Sequence, residues 1–237
     1  FIGLPQDLQG WAYDYPVAFF DKRVHHVRRQ TPDQRELQAA VNLLKSAERP
    51  VIIAGGGVQY SGAVAEMTAF AVRHQIPVVE TIAGRANFLA THPLNTGPIG
   101  VTGSNSANLV AEKADVIFAV GTRMQDFTTG SWTAFAPDAR IISLNSARHD
   151  AAKHFSQPVV GDAKLGLLEI SMLLGNHKAP DVWTKFARQE RVKWDTYVAK
   201  NVKPGNRPNS YAQAIGVVNG LCGPRDRIVA AAGGLPA

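Results

Sequence analysis

One cysteine, Cys222, is all that the 237 residues carry. A lone thiol excludes an internal disulfide framework, cannot build a thiolate metal site, and fits a reducing cytoplasm. No apolar run approaches the roughly 20 residues of a membrane span, and no signal-peptide pattern opens the chain. The expectation is a soluble protein with no membrane partner.

Catalytic signatures are equally sparse. No G-x-S-x-G elbow offers a serine nucleophile. His149 and His154 are five apart, and His25 and His26 point opposite ways in an extended segment, so no histidine pair has helix-face metal spacing. Gly161-Asp162-Ala163 begins like a metal-binding Gly-Asp-Gly run, but the second glycine and a suitably spaced Asn are absent. Asp162 is instead expected to cap a helix that starts at Ala163. No catalytic residue and no metal ligand is assigned.

What is present suits a globular protein. Hydrophobic residues make up 45% and charged residues 19%, enough for a sizeable core. The net charge of +6 is concentrated in Lys22 to Arg29 and Lys185 to Arg207. Neither tract sits in a helix-turn-helix or zinc spacing, so solvated linkers wrapping a core are favoured over a nucleic-acid surface.

The middle of the chain alternates helix and strand. Arg35 to Ala47 carries Leu37, Ala40, Val41, Leu44 and Ala47 at helical spacing, with Thr31-Pro32-Asp33 ahead as cap residues. Val51 to Ala54 reads as a strand buried on both faces, followed by Gly55-Gly56-Gly57. A helix from Ala63 to His74, a strand from Pro77 to Thr81, a Gly- and Pro-rich stretch from Gly84 to Gly103, a helix near Ser106 to Lys113 and a strand from Asp115 to Gly121 follow. Arg140 to Leu144 and Pro158 to Gly161 are further strands, with Ala163 to Leu174 a closing helix. This rhythm predicts an α/β fold, a Rossmann-like parallel sheet of about six strands with helices on both faces.

Three turns on one sheet edge could form a ligand crevice. Gly55, Gly56 and Gly57 could present N–H groups to a phosphate, or the glycines could merely permit a sharp strand-to-helix turn, since the full G-x-G-x-x-G spacing is missing. Gly121, Thr122 and Arg123 end another strand, where Arg123 could pair with a phosphate or carboxylate, or form an interface salt bridge. Thr81 with Gly84-Arg85 is the third. Dinucleotide sites usually place an acidic residue after a later strand, yet Asn145 stands there.

Beyond Gly175 the character changes. Pro180 to Lys200 is a charged helix bearing Trp183, Phe186 and Trp194, Val202 to Ser210 reads as a linker, and a helix from Tyr211 to Gly220 precedes a terminal strand, Ile228 to Ala232. The chain opens on Phe1 without an initiator Met and closes just after that strand breaks into Gly233-Gly234-Leu235-Pro236. Both ends are expected to be cut edges of a longer protein. The expected division is 1–30 as a linker from a missing N-terminal domain, 31–175 as a central Rossmann-like domain, 176–210 as a helical linker and 211–237 as the start of a truncated C-terminal domain.

The series Ala47 to Val58, Ile76 to Thr81, His92-Pro93-Leu94, Gly97 and Gly100, Ala114 to Arg123 and Val160 to Ala163 resembles the central domain of thiamine diphosphate-dependent enzymes of the acetolactate synthase and pyruvate oxidase type. Gly3 to Gln9, Tyr13 to Pro16, Phe19-Phe20 and Arg28-Arg29 resemble one branch, the trihydroxycyclohexane-1,2-dione hydrolases of inositol catabolism. The resemblance implies a parent in which a thiamine carbanion attacks a ring ketone, a C–C bond breaks and water completes ring opening. It also implies thiamine diphosphate and Mg²⁺ in that parent, a cytoplasmic homo-oligomer whose flanking domains supply the activating Glu and the Gly-Asp-Gly and Asn ligands. Neither motif is in this chain, so no cofactor is expected in it alone; Gly233, Gly234 and Leu235 would lie near the diphosphate of the intact enzyme. Some relatives hold FAD across the edge formed here by Gly55, Gly56, Gly57, Thr81, Gly121, Thr122 and Arg123, and Asn145 argues against FAD, leaving a vestigial nucleotide crevice. Three readings stay open: a non-catalytic central segment of the dione hydrolase, the FAD-binding domain of another carboligase or oxidase, and a free-standing nucleotide-binding or interaction module.

Overall fold

The computed structural model describes residues 3–26, 28–203, 205, 208–223 and 225–229. The first half runs α1 (Gln34–Lys45), β1 (Pro50–Ala54), α2 (Gly57–Tyr60), α3 (Val64–His74), β2 (Val78–Glu80), β3 (Asn95–Pro98) and α4 (Asn105–Lys113). The second runs β4 (Val116–Val120), α5 (Asp126–Thr129), β5 (Arg140–Asn145), α6 (Arg148–Ala151), β6 (Gln157–Val160), α7 (Ala163–Leu174), α8 (Asp181–Asn201) and α9 (Tyr211–Leu221).

Side-chain caps fix where the main helices start. Asp33 accepts from the N–H groups of Arg35 and Glu36 at the head of α1, and Asp162 does the same for Lys164 and Leu165 at α7. Ser104 caps α4, and Ser210 forms a capping box with Gln213 at α9. Each satisfies donors that the first helical turn leaves orphaned.

The six strands form one parallel sheet in the order β3-β2-β1-β4-β5-β6. Every residue of β1, β2 and β4 is buried, as a parallel sheet covered on both faces requires. Helices α1 and α3 each pack on α7, and α4 packs on α8. The strand order reverses between β1 and β4, which makes that junction the topological switch point, where open α/β sheets hold ligands.

Two expectations need correction. The stretch from Gly84 to Gly103 contains a strand, β3, whose Asn95 and Gly97 pair with Val78 and Val79, with a register shift between the two pairs. Its buried polar groups are satisfied: Thr96 Oγ1 donates to Val78 O at 2.8 Å, and Asn95 Nδ2 donates to Phe88 O at 3.2 Å. The terminal strand is not seen in its described part, since Ile228 and Val229 lie outside any strand; Ala230 to Ala232 fall outside the described residues.

The core continues past Gly175. Ala179, Trp183 and Ala187 join the same hydrophobic cluster as the sheet. Trp183 Nε1 donates to Pro50 O at 2.8 Å, tying α8 to the first residue of β1. The buried His74 bridges α3 to α7 and to the segment after it, with Nε2 2.9 Å from Ser171 Oγ and Nδ1 2.7 Å from His177 O. A carbonyl only accepts, so Nδ1 carries the proton and Nε2 accepts from the serine hydroxyl. Farther along α8, Arg191 donates to Asn95 O at 3.0 Å and Ala90 O at 3.1 Å, clamping the edge strand and the loop before it.

Candidate functional site

A crevice of about 860 Å³ opens at the carboxyl ends of the strands, over the switch point. Its walls include Gly56 and Gly57 after β1, Thr81 after β2, and Gly121, Thr122 and Arg123 after β4. Residues of all three turns singled out in the sequence meet there, although Gly84 and Arg85 of the third do not line it. Gly55 is buried behind them, and Gly233, Gly234 and Leu235 lie outside the described residues.

The two glycine turns are packed main chain against main chain. Gly55 N–H donates to Val120 O at 2.9 Å and Gly57 N–H to Gly121 O at 2.8 Å. A Cβ on Gly57 would stand 2.7 Å from Gly121 Cα, so both positions require glycine by contact, and Gly121 also by its φ of +60°. The geometry qualifies the cradle idea: Gly55 and Gly57 already direct their N–H groups across the seam, and α2 is a single turn. The hydroxyls are also engaged, Thr81 Oγ1 accepting from Gly84 N and Thr122 Oγ1 from Met124 N.

Asn145, Asp150 and Asp162 also line it. Asn145 Nδ2 donates to Thr122 O at 3.0 Å while its Oδ1 accepts from Ala147 N at 3.0 Å, so this side chain braces the two turns around it. Asp162 meets Arg29 at 2.7 Å, and Arg29 also donates to Ser61 O at 2.6 Å, which fastens the N-terminal strap to the rim. Lys153 pairs with Asp150 at 2.6 Å and donates to Arg123 O at 3.3 Å. With those acids paired, Arg123 is the cationic side chain of the lining without an ion-pair partner among the described residues, which gives the crevice a positive bias toward anions. The sequence search overlooked Asn145 as a brace and Arg29 as a rim clamp. Only the position of Asn145 at a strand end signalled it; nothing local marks Arg29.

Beneath the edge of this region, Glu80 is 5% exposed and accepts from Phe88 N at 2.9 Å and Asn95 Nδ2 at 3.3 Å. Burial pushes its carboxyl above the usual range, while those hydrogen bonds and the nearby Arg85 pull the other way. Burial likewise pulls His74 below the ordinary imidazole value, against its bond to His177 O.

Among the described residues no group of three or more His, Cys, Asp or Glu side chains could hold a metal ion, and no helix is long and apolar enough to cross a membrane.

Comparison with known proteins accords with this architecture. The family model described as thiamine pyrophosphate enzyme, central domain, matches residues 37–170. A 3D-(3,5/4)-trihydroxycyclohexane-1,2-dione hydrolase from Geobacillus thermodenitrificans is 45% identical over 176 residues, 74% of this chain and 27% of its own length. Proteins of the same name from Bacillus subtilis and Lacticaseibacillus casei are 39% and 36% identical, covering 90% and 99% of this chain but 35% and 40% of their own lengths. The chain thus spans well under half of the relatives it matches.

Proposed function

This chain belongs to the family of thiamine pyrophosphate enzyme central domains, and from that premise we propose that it is the central domain of a thiamine diphosphate-dependent hydrolase. The intact enzyme would open the ring of a trihydroxycyclohexane-1,2-dione during inositol breakdown in the cytoplasm. The observation that carries this reading is the 36% identity that runs over 99% of the chain to a relative bearing that name.

The described residues do not fit thiamine diphosphate and Mg²⁺. They hold no group of three or more His, Cys, Asp or Glu side chains that could hold a metal ion, and the carboxylate of Asp162 already caps α7 and pairs with Arg29. We therefore assign the cofactor and metal ligands to other segments of the intact polypeptide, with Gly233, Gly234 and Leu235 near the diphosphate. The role of this chain is architectural: a rigid sheet, a strap fastened by Arg29 and a clamped α8, against which the flanking domains and further subunits of a homo-oligomer pack.

A second reading rests on Arg123 and the crevice it lines, which suit a nucleotide phosphate although Asn145 replaces the acid that would hold a ribose. Calorimetric titration of the purified chain separates the two. The architectural reading expects no saturable heat with thiamine diphosphate plus Mg²⁺, and micromolar binding would overturn it. Saturable FAD or ADP binding that disappears in Arg123→Ala would favour the nucleotide reading.

A further inference from the structure

The N-terminal strap carries a dense aromatic stretch. Trp11 to Phe20 holds five aromatic rings in ten residues and a single charged side chain, Asp14, in a chain that is 8% aromatic. Such rings gain most from burial. Every described residue from 3 to 26 is instead exposed.

The rings gather without sinking into the molecule. Ring centroids of Tyr15 and Phe19 are 5.0 Å apart, those of Tyr13 and Tyr15 5.1 Å, and those of Phe19 and Phe20 5.4 Å. Two single turns, Leu8–Gly10 and Val17–Phe20, shape the segment. Its hydrogen bonds among the described residues stay inside it: Gln9 Nε2 donates to Leu4 O, Trp11 N to Leu8 O and Phe19 N to Pro16 O. The four clustered rings and Trp11 are each 53–74% exposed. At about 150–250 Å² per ring, on the order of 500–800 Å² of aromatic surface faces water, whereas the largest apolar patch of a typical monomer is about 300–600 Å².

The fastening to the sheet domain starts only behind this patch. Arg29 pairs with Asp162, and Asp162 N donates to Gln30 O at 2.8 Å. Pro32 is buried so close to Gly161 that a Cβ there would stand 2.6 Å from its Cγ. The central domain therefore holds the strap by its foot and leaves its rings uncovered.

The comparisons point to where the cover lies. The strap falls outside residues 37–170, which match the central-domain model, yet inside the alignment to the Lacticaseibacillus casei relative, which takes in 99% of this chain and 40% of the relative's length. That relative thus carries this segment together with much chain that the present one does not span. A domain joined directly to the strap meets the rings at the high effective concentration of a tethered partner, an advantage that a second copy lacks.

We propose that the Trp11–Phe20 face of the strap is the docking surface for the domain that precedes it in the intact polypeptide. Depletion of charge and enrichment in aromatics are the marks of an interface core, and the exposed area suits contacts between domains of one polypeptide, which bury about 600–1,500 Å². The proposal rests on the reading of this chain as a segment of a longer dione hydrolase.

The test inserts all 237 residues in place of the matching segment of the Lacticaseibacillus casei relative. Amide exchange of residues 3–26 is followed by mass spectrometry in this chimera and in the chain alone. Exchange in the strap is expected to be at least about tenfold slower in the chimera. The double variant Phe19→Ser, Phe20→Ser is expected to cancel that protection while moving the melting temperature of the chain alone by less than about 2 °C. A larger fall would place the rings against the central domain and decide against the proposal even where the chimera does not fold. Unchanged strap exchange in a folded chimera would overturn it, as would a strap already protected in the monomeric chain. Protection that appears only when the chain sediments as a dimer, and vanishes in the double variant, would give the face to a second copy instead. Ring opening by the chimera reads the parent activity separately: turnover with an unprotected strap sinks the docking surface alone, and protection without turnover counts only against the activity.

Discussion

Replacing Gly121 by alanine probes the seam on which the crevice is built, and its cost has separable parts. Gly121 has a φ of +60°, a conformation in which an L side chain costs about 1–2 kcal/mol. The added Cβ would lie 2.7 Å from Gly57 Cα and 2.8 Å from Val58 N, well inside the 3.4–4 Å of ordinary contact. Those neighbours are main chain, held by the β1–β4 register and by the 2.8 Å bond from Gly57 N to Gly121 O. No rotamer change relieves the overlap, so overpacking adds about 1–3 kcal/mol. If the turns part instead, the Gly57 N–H loses its partner at about 1–3 kcal/mol. Because the last two are alternatives, the expected total is about 2–5 kcal/mol. Gly130→Ala is the control: its φ is +56°, but the nearest atom to a new Cβ is the hydroxyl of Thr133 at 3.3 Å, leaving mainly the conformational cost of about 1–2 kcal/mol. Urea unfolding followed by circular dichroism compares both variants with the parent chain. A Gly121→Ala variant within about 0.5 kcal/mol of Gly130→Ala would refute the close seam.

Other expectations concern α8 and the buried titratable groups. Trp183→Ala should lose about 3–5 kcal/mol in urea unfolding, whereas Trp183→Phe, which keeps most of the volume but strands Pro50 O, should lose about 1–3 kcal/mol; a loss below about 1 kcal/mol in the alanine variant would show α8 to be a peripheral linker. Removing the clamp in Arg191→Ala should speed amide exchange in the second half of α8 by about fivefold or more while α1 stays protected, and unchanged exchange would contradict the clamp. Burial holds the His74 imidazole below 6.5 in the fold, so the unfolded chain takes up the proton first. Its contribution is complete above pH 6.5 and is lost as pH falls toward the folded value; stability measured at about pH 7.5 and 5.5 should differ less in His74→Gln, and an identical difference would count against the argument. Glu80 runs the other way: raised above 4.5 by burial, it favours the fold below that pH and loses the contribution as pH rises through its folded value. A carboxyl ¹³C titration, with Glu80→Gln for assignment, should give a midpoint above 4.5, and one at or below 4.5 would contradict this.

Most of the layered fold was legible because its signals are local. Asp33 and Asp162 stand at the starts of α1 and α7 and act there as caps, and the continuous apolar runs of β1 and β4 are the fully buried strands of the sheet. β3 was hidden because Asn95, Thr96, Gly97 and Pro98 carry no apolar pattern; its identity comes from pairing with β2 and from hydrogen bonds to residues at least six positions away. The crevice was half legible. Gly56, Gly57, Thr81, Gly121, Thr122 and Arg123 share it because parallel strands bring their carboxyl ends to one edge. What the residues alone did not reveal is that Gly55 and Gly57 turn their N–H groups across the seam, or that Arg29 reaches Asp162 over 133 positions. Contacts so distant in the chain leave no trace in spacing or periodicity.

The most direct test of the architectural claim is a domain exchange. Residues 37–170 of this chain would replace the matching segment of the Geobacillus thermodenitrificans dione hydrolase, and ring opening of the trihydroxycyclohexane-1,2-dione would be measured with thiamine diphosphate and Mg²⁺. A scaffold that supplies shape and interfaces predicts a chimera with kcat within about tenfold of the parent hydrolase, alongside no turnover by this chain alone. A folded chimera, with native oligomeric state and bound cofactor but no turnover, would contradict the account and place a catalytic contribution in this segment.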